Sequence, residues 1–291
     1  MRNVRKASGR AAPNTAFGWP RDFLGNRFVY AVISQRAHGL SIGVNLNPEK
    51  YCDFKCVYCE VERGEPHSES PVDINVMSDE LTQMLDLASQ NKLSELPRFH
   101  KIPADLLQLK EVALSGDGEP TLSPNFDAVV EAVLRVRSQR PHFFKVVLIT
   151  NTSGLFRPHV ERGWMQLTLE DEIWVKLDAG TQAYMDQVNR PESMTLQTVM
   201  ANILQIGRIR PIVIQSLFPM LNGEAPSDEE IDRYIHRLQE LKAGGAQISQ
   251  VQIFSAHRPA RNPSCGHLPL NGLSHIVRRV RDQTRLRAEV F

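Results

Sequence analysis

The chain has 291 residues, 42% hydrophobic and 23% charged, an ordinary globular composition whose length suits one large α/β domain or two smaller ones. Thirty-four basic against 33 acidic residues leave a formal charge of +1, so bulk charge selects no partner class. No run of 18 apolar residues is present, which excludes a membrane-spanning helix; the first 16 residues lack the apolar stretch of a secretory signal, and a cytoplasmic location is expected.

Residues 1–40 read as peripheral: a solvated arm carrying Arg2, Arg5, Lys6 and Arg10, then an apolar run at 28–33 that suits an extra strand. From residue 41 the pattern settles. Short runs rich in Val and Ile at 41–46, 112–114, 146–149, 173–177, 212–214 and 251–254 lack polar alternation, as strands buried on both faces do. Helical patterns separate them. Ser78 opens one, with Asp79 and Glu80 in its first turn and Leu81, Met84, Leu85 and Ala88 inward. Ser123-Pro124 offers a cap and a first-turn proline before Phe126, Val129, Val130 and Val133. Leu196, Val199, Ile203 and Ile206 form another apolar stripe. Ser227-Asp-Glu-Glu230 is a capping box before Ile231, Ile235, Leu238 and Leu241, stopped by Gly244-Gly245. Residues 258–291 read as a loop and a basic helix with Arg278, Arg279, Arg281, Arg285 and Arg287, a solvated face.

Six strands alternating with helices imply an α/β fold of parallel strands with crossover helices. Six such units make an incomplete (β/α)6 partial barrel, and chemistry belongs at the carboxyl ends of its strands.

Three of the four cysteines lie within eight residues, Cys52-Asp-Phe-Lys-Cys56-Val-Tyr-Cys59, directly after the first of these strands. They cannot make a disulfide framework, and without a secretory signal they point to metal binding in a reducing compartment. Three thiolates in this spacing suit one face of a 4Fe–4S cubane, leaving its fourth iron open to a chelating amine and carboxylate. Two alternatives stand beside this: a zinc-stabilised binding module with His67 as fourth ligand, and an electron-transfer protein with an ordinary cluster.

The motif, with Tyr58 just before its third cysteine, resembles the signature of the radical S-adenosylmethionine superfamily. The resemblance implies Cys52, Cys56 and Cys59 as cluster ligands and S-adenosylmethionine on the open iron. It also implies reductive cleavage to a 5′-deoxyadenosyl radical that abstracts hydrogen from a substrate. Flavodoxin or ferredoxin would be the electron donor. The resemblance spans residues 41–257, the expected core domain, and supplies further site residues. Gly116-Asp-Gly-Glu119 is similar to the Gly-Gly-Glu motif that holds the methionine amino group, with Asp117 where the first glycine is usual. Asn151 ends the third strand. Lys176 and Asp178 close the fourth, two residues apart on one face; they suit either a mutual ion pair or, by resemblance, the ribose hydroxyls. Gln215 and Ser216 end the fifth, and His257-Arg258 follow the sixth. Asn45-Leu-Asn-Pro48, 118–122, Lys176-Leu-Asp-Ala179 and Asn189-Arg-Pro191 look closest to the wyosine-synthase-like branch, which implies modification of a tRNA guanine. An activase that installs a glycyl radical on a partner protein is the competing enzyme class. Cys265 stands alone and supplies no second cluster.

Overall fold

The structure, a computed structural model, describes residues 16, 23–61, 70–256, 260 and 262–291. The basic start, His67 and the His257-Arg258 pair lie outside the described residues.

Strands β1 (Val29–Ser34) and β2 (Gly39–Asn45) form an antiparallel pair running from Val29 opposite Val44 to Ser34 opposite Gly39. The extra strand is therefore real. Helix α1 (Ile74–Ser89) begins four residues before Ser78, because Asp73 accepts the backbone N–H of Asn75 and Val76 and Met77 extends the buried stripe of Leu81, Met84 and Leu85. Strand β3 (Leu109–Ser115) leads through a 3-10 turn at Pro120–Leu122 into α2 (Phe126–Ser138). The expected Ser123-Pro124 cap falls two residues early. Asn125 holds the N-cap position with its amide spent on Val72, whose N–H it accepts at 3.0 Å and whose carbonyl it donates to at 2.9 Å.

Next come β4 (Lys145–Thr150), α3 (Pro158–Trp164), β5 (Glu172–Lys176), α4 (Gln182–Val188), α5 (Leu196–Ile209) and β6 (Ile212–Leu217). They are followed by β7 (Pro219–Leu221), α6 (Asp228–Ala243), β8 (Ile248–Phe254), β9 (Cys265–His267), α7 (Leu270–Thr284) and β10 (Ala288–Val290). Ser227 caps α6 by accepting the Glu230 N–H, as the capping box requires. Glu230 does not reach back to it. Its carboxylate instead takes the N–H groups of Gly180 and Thr181 and the Thr181 hydroxyl, which ties α6 to the end of β5.

The main sheet runs β1-β2-β3-β4-β5-β6-β8-β10, every pair parallel except the first. Strands β2 to β6 and β8 are the six read from the sequence, in sequence order, as an open (β/α)6 barrel demands. The sheet's two edges approach where the rings of His38 and Phe291 meet at 5.9 Å. Alternate strand residues separate two cores. Val146 and Leu148 join the large core under the helices, whereas Val147, Trp174 and Val213 form a small apolar cluster on the other face. Each fully buried Leu, Ile or Val contributes about 1.5–3 kcal/mol, so the outer core carries the stability and leaves the inner face able to hold polar residues.

Candidate functional site

The loop after β2 carries Cys52, Cys56 and Cys59, none in a disulfide and all half-buried. It docks on the segment that follows α4. The N–H of Val57 donates to Val188 O at 2.8 Å, that of Lys55 to Asn189 O at 3.1 Å, and that of Glu192 to Asp53 O at 2.9 Å. Phe54 bridges Pro191. Asn189 then joins side chains: its amide donates to Asp178 at 2.7 Å and approaches Tyr58 Oη at 3.3 Å and Cys56 Sγ at 3.6 Å. Tyr58 donates a short hydrogen bond to the same Asp178 oxygen, and the other Asp178 oxygen accepts the Leu217 N–H at 2.7 Å. Burial, then the Asp178 charge, pushes the Cys56 thiol up to about 11 and raises the Tyr58 phenol as well.

The loop after β3 meets the cysteine loop from the other side. Gly116, at φ +146°, packs so that a Cβ would lie 2.1 Å from Asn45 Oδ1, and a Cβ on Gly118 would lie 1.8 Å from the Tyr51 carbonyl oxygen. The missing side chains let the two loops pack against each other this closely. Asn45 and Asp117 bond reciprocally, side chain to side chain at 2.9 Å and Asp117 N–H to Asn45 Oδ1 at 3.1 Å.

Glu119 is 3% exposed. One carboxylate oxygen takes the Thr121 N–H and the hydroxyls of Thr121 and Thr150, and the other takes the Asn151 N–H at 2.7 Å. Burial outweighs these donors and pushes its carboxyl up to about 7. Thr152, fully buried at φ +75°, occupies the left-handed region that β-branched residues avoid. That turn points the Asn151 amide at Asp53 in the cysteine loop, 2.9 Å away.

One cavity of about 570 Å³ collects these parts. Cys52, Cys56, Tyr58, Cys59, Gly116, Gly118, Glu119, Asn151, Lys176 and Gln215 all line it. Of the expected site residues, Asp117 and Asp178 do not: Asp117 sits against Asn45, and Asp178 against Tyr58, Asn189 and Leu217. Lys176 stands 3.8 Å from Asp178 and about equally over the rings of Tyr58 and Phe254, 5.0 Å from each centroid. Gln215 donates to Gln252 at 3.0 Å. Ser216 faces the opposite side, 2.6 Å from Tyr234 Oη. Sequence reasoning missed Asn189 and Asp53 as supports of the cysteine loop. The Asn189-Arg-Pro191 motif was the available signal.

Among the described residues, no three His, Cys, Asp or Glu side chains converge to hold a single metal ion. His67, the fourth ligand of the zinc alternative, lies outside the described residues. Cys52, Cys56 and Cys59 line one cavity, and thiolates are the donors an iron–sulfur cluster takes. Among the basic-helix arginines, Arg279 pairs with Asp228 and Asp232, Arg281 with the Ala288 carbonyl, and Arg287 with Glu289.

No protein-family profile matches the chain. Over 235 residues, 80% of its length, it is 26% identical to the UPF0026 protein of Helicobacter pylori, of which the match covers 67%. Among solved structures, SuiB of Streptococcus suis bound to S-adenosylmethionine superposes with a TM-score of 0.57 at 15% identity, over 83% of this chain and 48% of SuiB. A radical S-adenosylmethionine methyltransferase from Sphaerobacter thermophilus superposes with a TM-score of 0.55 at 13% identity, over 90% of this chain and 68% of that enzyme. The fold is that of radical S-adenosylmethionine enzymes. The chain spans about half of SuiB, and in this radical S-adenosylmethionine fold the cysteine loop leaves the first parallel strand at its carboxyl end. No described helix is long and apolar enough to cross a membrane.

Proposed function

We propose that the protein is a radical S-adenosylmethionine enzyme in which Cys52, Cys56 and Cys59 hold one 4Fe–4S cluster and S-adenosylmethionine lies across the strand ends. The observation that carries this is the single cavity joining three cysteines to residues from the ends of β3, β4, β5 and β6. When bound, the cluster and S-adenosylmethionine would supply reductive cleavage to a 5′-deoxyadenosyl radical for hydrogen abstraction, with flavodoxin or ferredoxin as electron donor.

The chain's own residues bind and orient. Gly116, Gly118 and Glu119 border the methionine end, with the Glu119 carboxylate already fixed by four donors. Asn151, Lys176 and Gln215 face the ribose side, and Lys176 brings a cation to a wall of aromatic rings. Asp117 and Asp178 are positioning residues: one holds the lead-in to the cysteine loop, the other holds Tyr58 and Asn189. The wyosine-synthase-like motifs nominate a tRNA guanine as substrate.

Anaerobic reconstitution tests the reading. The wild type is expected to take up about four irons per chain, to change its electron paramagnetic resonance spectrum on adding S-adenosylmethionine, and to release 5′-deoxyadenosine on reduction. Replacing Cys52, Cys56 or Cys59 with Ala is expected to abolish both chromophore and product; continued cleavage in such a variant refutes the ligand assignment.

A further inference from the structure

The same cavity has a second polar end, at Glu111. Along β3 the residues Glu111, Ala113 and Ser115 alternate onto its wall. Ser115 lies at the strand end beside the glycine loop. Glu111 lies four residues earlier, about 13 Å down the strand, with the small Ala113 between them and the Tyr30 ring beside it, its hydroxyl 3.1 Å from Ser115 Oγ. Glu111 is 1% exposed. One of its carboxylate oxygens accepts the Ser41 hydroxyl at 3.0 Å, across the pairing that sets Ser41 opposite Glu111. The other, Oε2, is buried and has no hydrogen-bond partner.

Two cations lie near it and act on it through charge. Lys145 donates to Glu172 at 2.7 Å, and the Arg36 guanidinium lies over the Phe254 ring, 4.9 Å from its centroid. Burial raises the Glu111 carboxyl above its ordinary value, the Glu172 charge adds to this, and Ser41, Lys145 and Arg36 oppose it. A buried carboxylate oxygen with no hydrogen-bond donor is rare in a native protein. Glu111 is one of the residues lining a cavity large enough for a small molecule.

We propose that Glu111 anchors the substrate. The cavity takes a molecule bearing an ammonium or amidinium group, whose N–H donates to Glu111 Oε2 while the rest of the molecule extends past Ala113 toward the cysteine loop. Naming that molecule a substrate rests on the radical-enzyme reading; the cationic anchor does not. The rings of Tyr30 and Phe254, also on the cavity wall, supply the apolar sides that a cation's carbon stem needs.

The full chain, reconstituted with iron and sulfide, is titrated with benzylammonium and with benzyl alcohol by ligand-observed nuclear magnetic resonance. The wild type is expected to bind benzylammonium roughly 10-fold or more tightly than the alcohol, and Glu111→Gln to lose that preference. Ala113→Val, which adds bulk between Glu111 and Ser115 without touching the carboxylate, is expected to weaken benzylammonium binding. That variant carries the test if Glu111→Gln fails to fold. No preference in the wild type, a preference that survives Glu111→Gln, or unchanged binding in Ala113→Val overturns the proposal. Failure of the radical reading appears separately, as missing iron and missing 5′-deoxyadenosine, whichever way the probes bind.

Discussion

Replacing Asn189 with Ala removes the one side chain that touches the cysteine loop, the phenol and the buried carboxylate together. Its amide donates to Asp178 at 2.7 Å and lies within 3.6 Å of Cys56 Sγ, and the residue is 4% exposed. A hydrogen bond to a charged group is worth about 1.5–3 kcal/mol. The Asp178 carboxylate keeps its bonds from Tyr58 and Leu217, so the lower half of that range applies, about 2 kcal/mol. If the loss falls on the docking of the cysteine loop, local opening becomes about 30-fold more frequent. The Lys55 and Val57 amides, which bond into the 188–190 segment, report that opening. Hydrogen exchange of a 52–59 peptide, followed by mass spectrometry, is expected to accelerate by that factor, with a fall in Tm of about 4–8 °C. A lowered Tm with unchanged exchange in 52–59 refutes the reasoning, since Asn189 would then only close α4.

Gly118→Ala drives a methyl into the Tyr51 carbonyl and is expected to cost about 3 kcal/mol or to block folding. Gly266→Ala, whose added Cβ meets only Met220 at 3.7 Å, is expected to leave the urea midpoint nearly unchanged. Glu119 carries a pH signature. Its folded carboxyl sits at about 7 against an ordinary 4.5, so the folded state binds the extra proton. Its contribution to stability is full below pH 4.5 and is lost as pH rises through 7, about 3 kcal/mol in all. Urea unfolding between pH 4.5 and 7 is expected to show that decline in the wild type and to lack it in Glu119→Gln. Parallel curves for the two proteins would show that Glu119 ionises normally.

The six parallel strands were legible because strands covered on both faces become short Val/Ile runs. Their ends were not. The run at 112–114 stops at Glu111 because a charged residue reads as a boundary, yet β3 continues through it with the carboxylate inside the barrel. Lys176 and Asp178, placed on one face, suit a mutual ion pair or, by resemblance, the ribose; the two stand 3.8 Å apart. The strand itself ends at Lys176, and Asp178 also accepts the Leu217 N–H, a partner the sequence does not show. Short elements such as α3, α4 and β10 left no periodic signature, and Ser78 outshone Asp73 as a cap because acidic residues follow it. The cysteine spacing was legible because a single loop carries all three thiols within eight residues. Asn189 and Asn151 reach that loop from elsewhere in the chain, so only the tertiary structure brings them there.

The rim and the interior of the cavity are built to different standards. At the rim, Asn45, Asp117, Glu119, Asp178 and Asn189 spend their hydrogen bonds on the two loops, and glycines allow backbone and side chain to touch. Such a rim fixes the two loops against each other before anything binds, which lowers the ordering cost of binding there. Inside, Glu111 keeps an acceptor unserved and Lys176 is held only by a long ion pair and two rings. Groups left incomplete in a buried space are stabilised most by a ligand that completes them. The rim therefore supplies position, while the interior supplies selectivity for what enters.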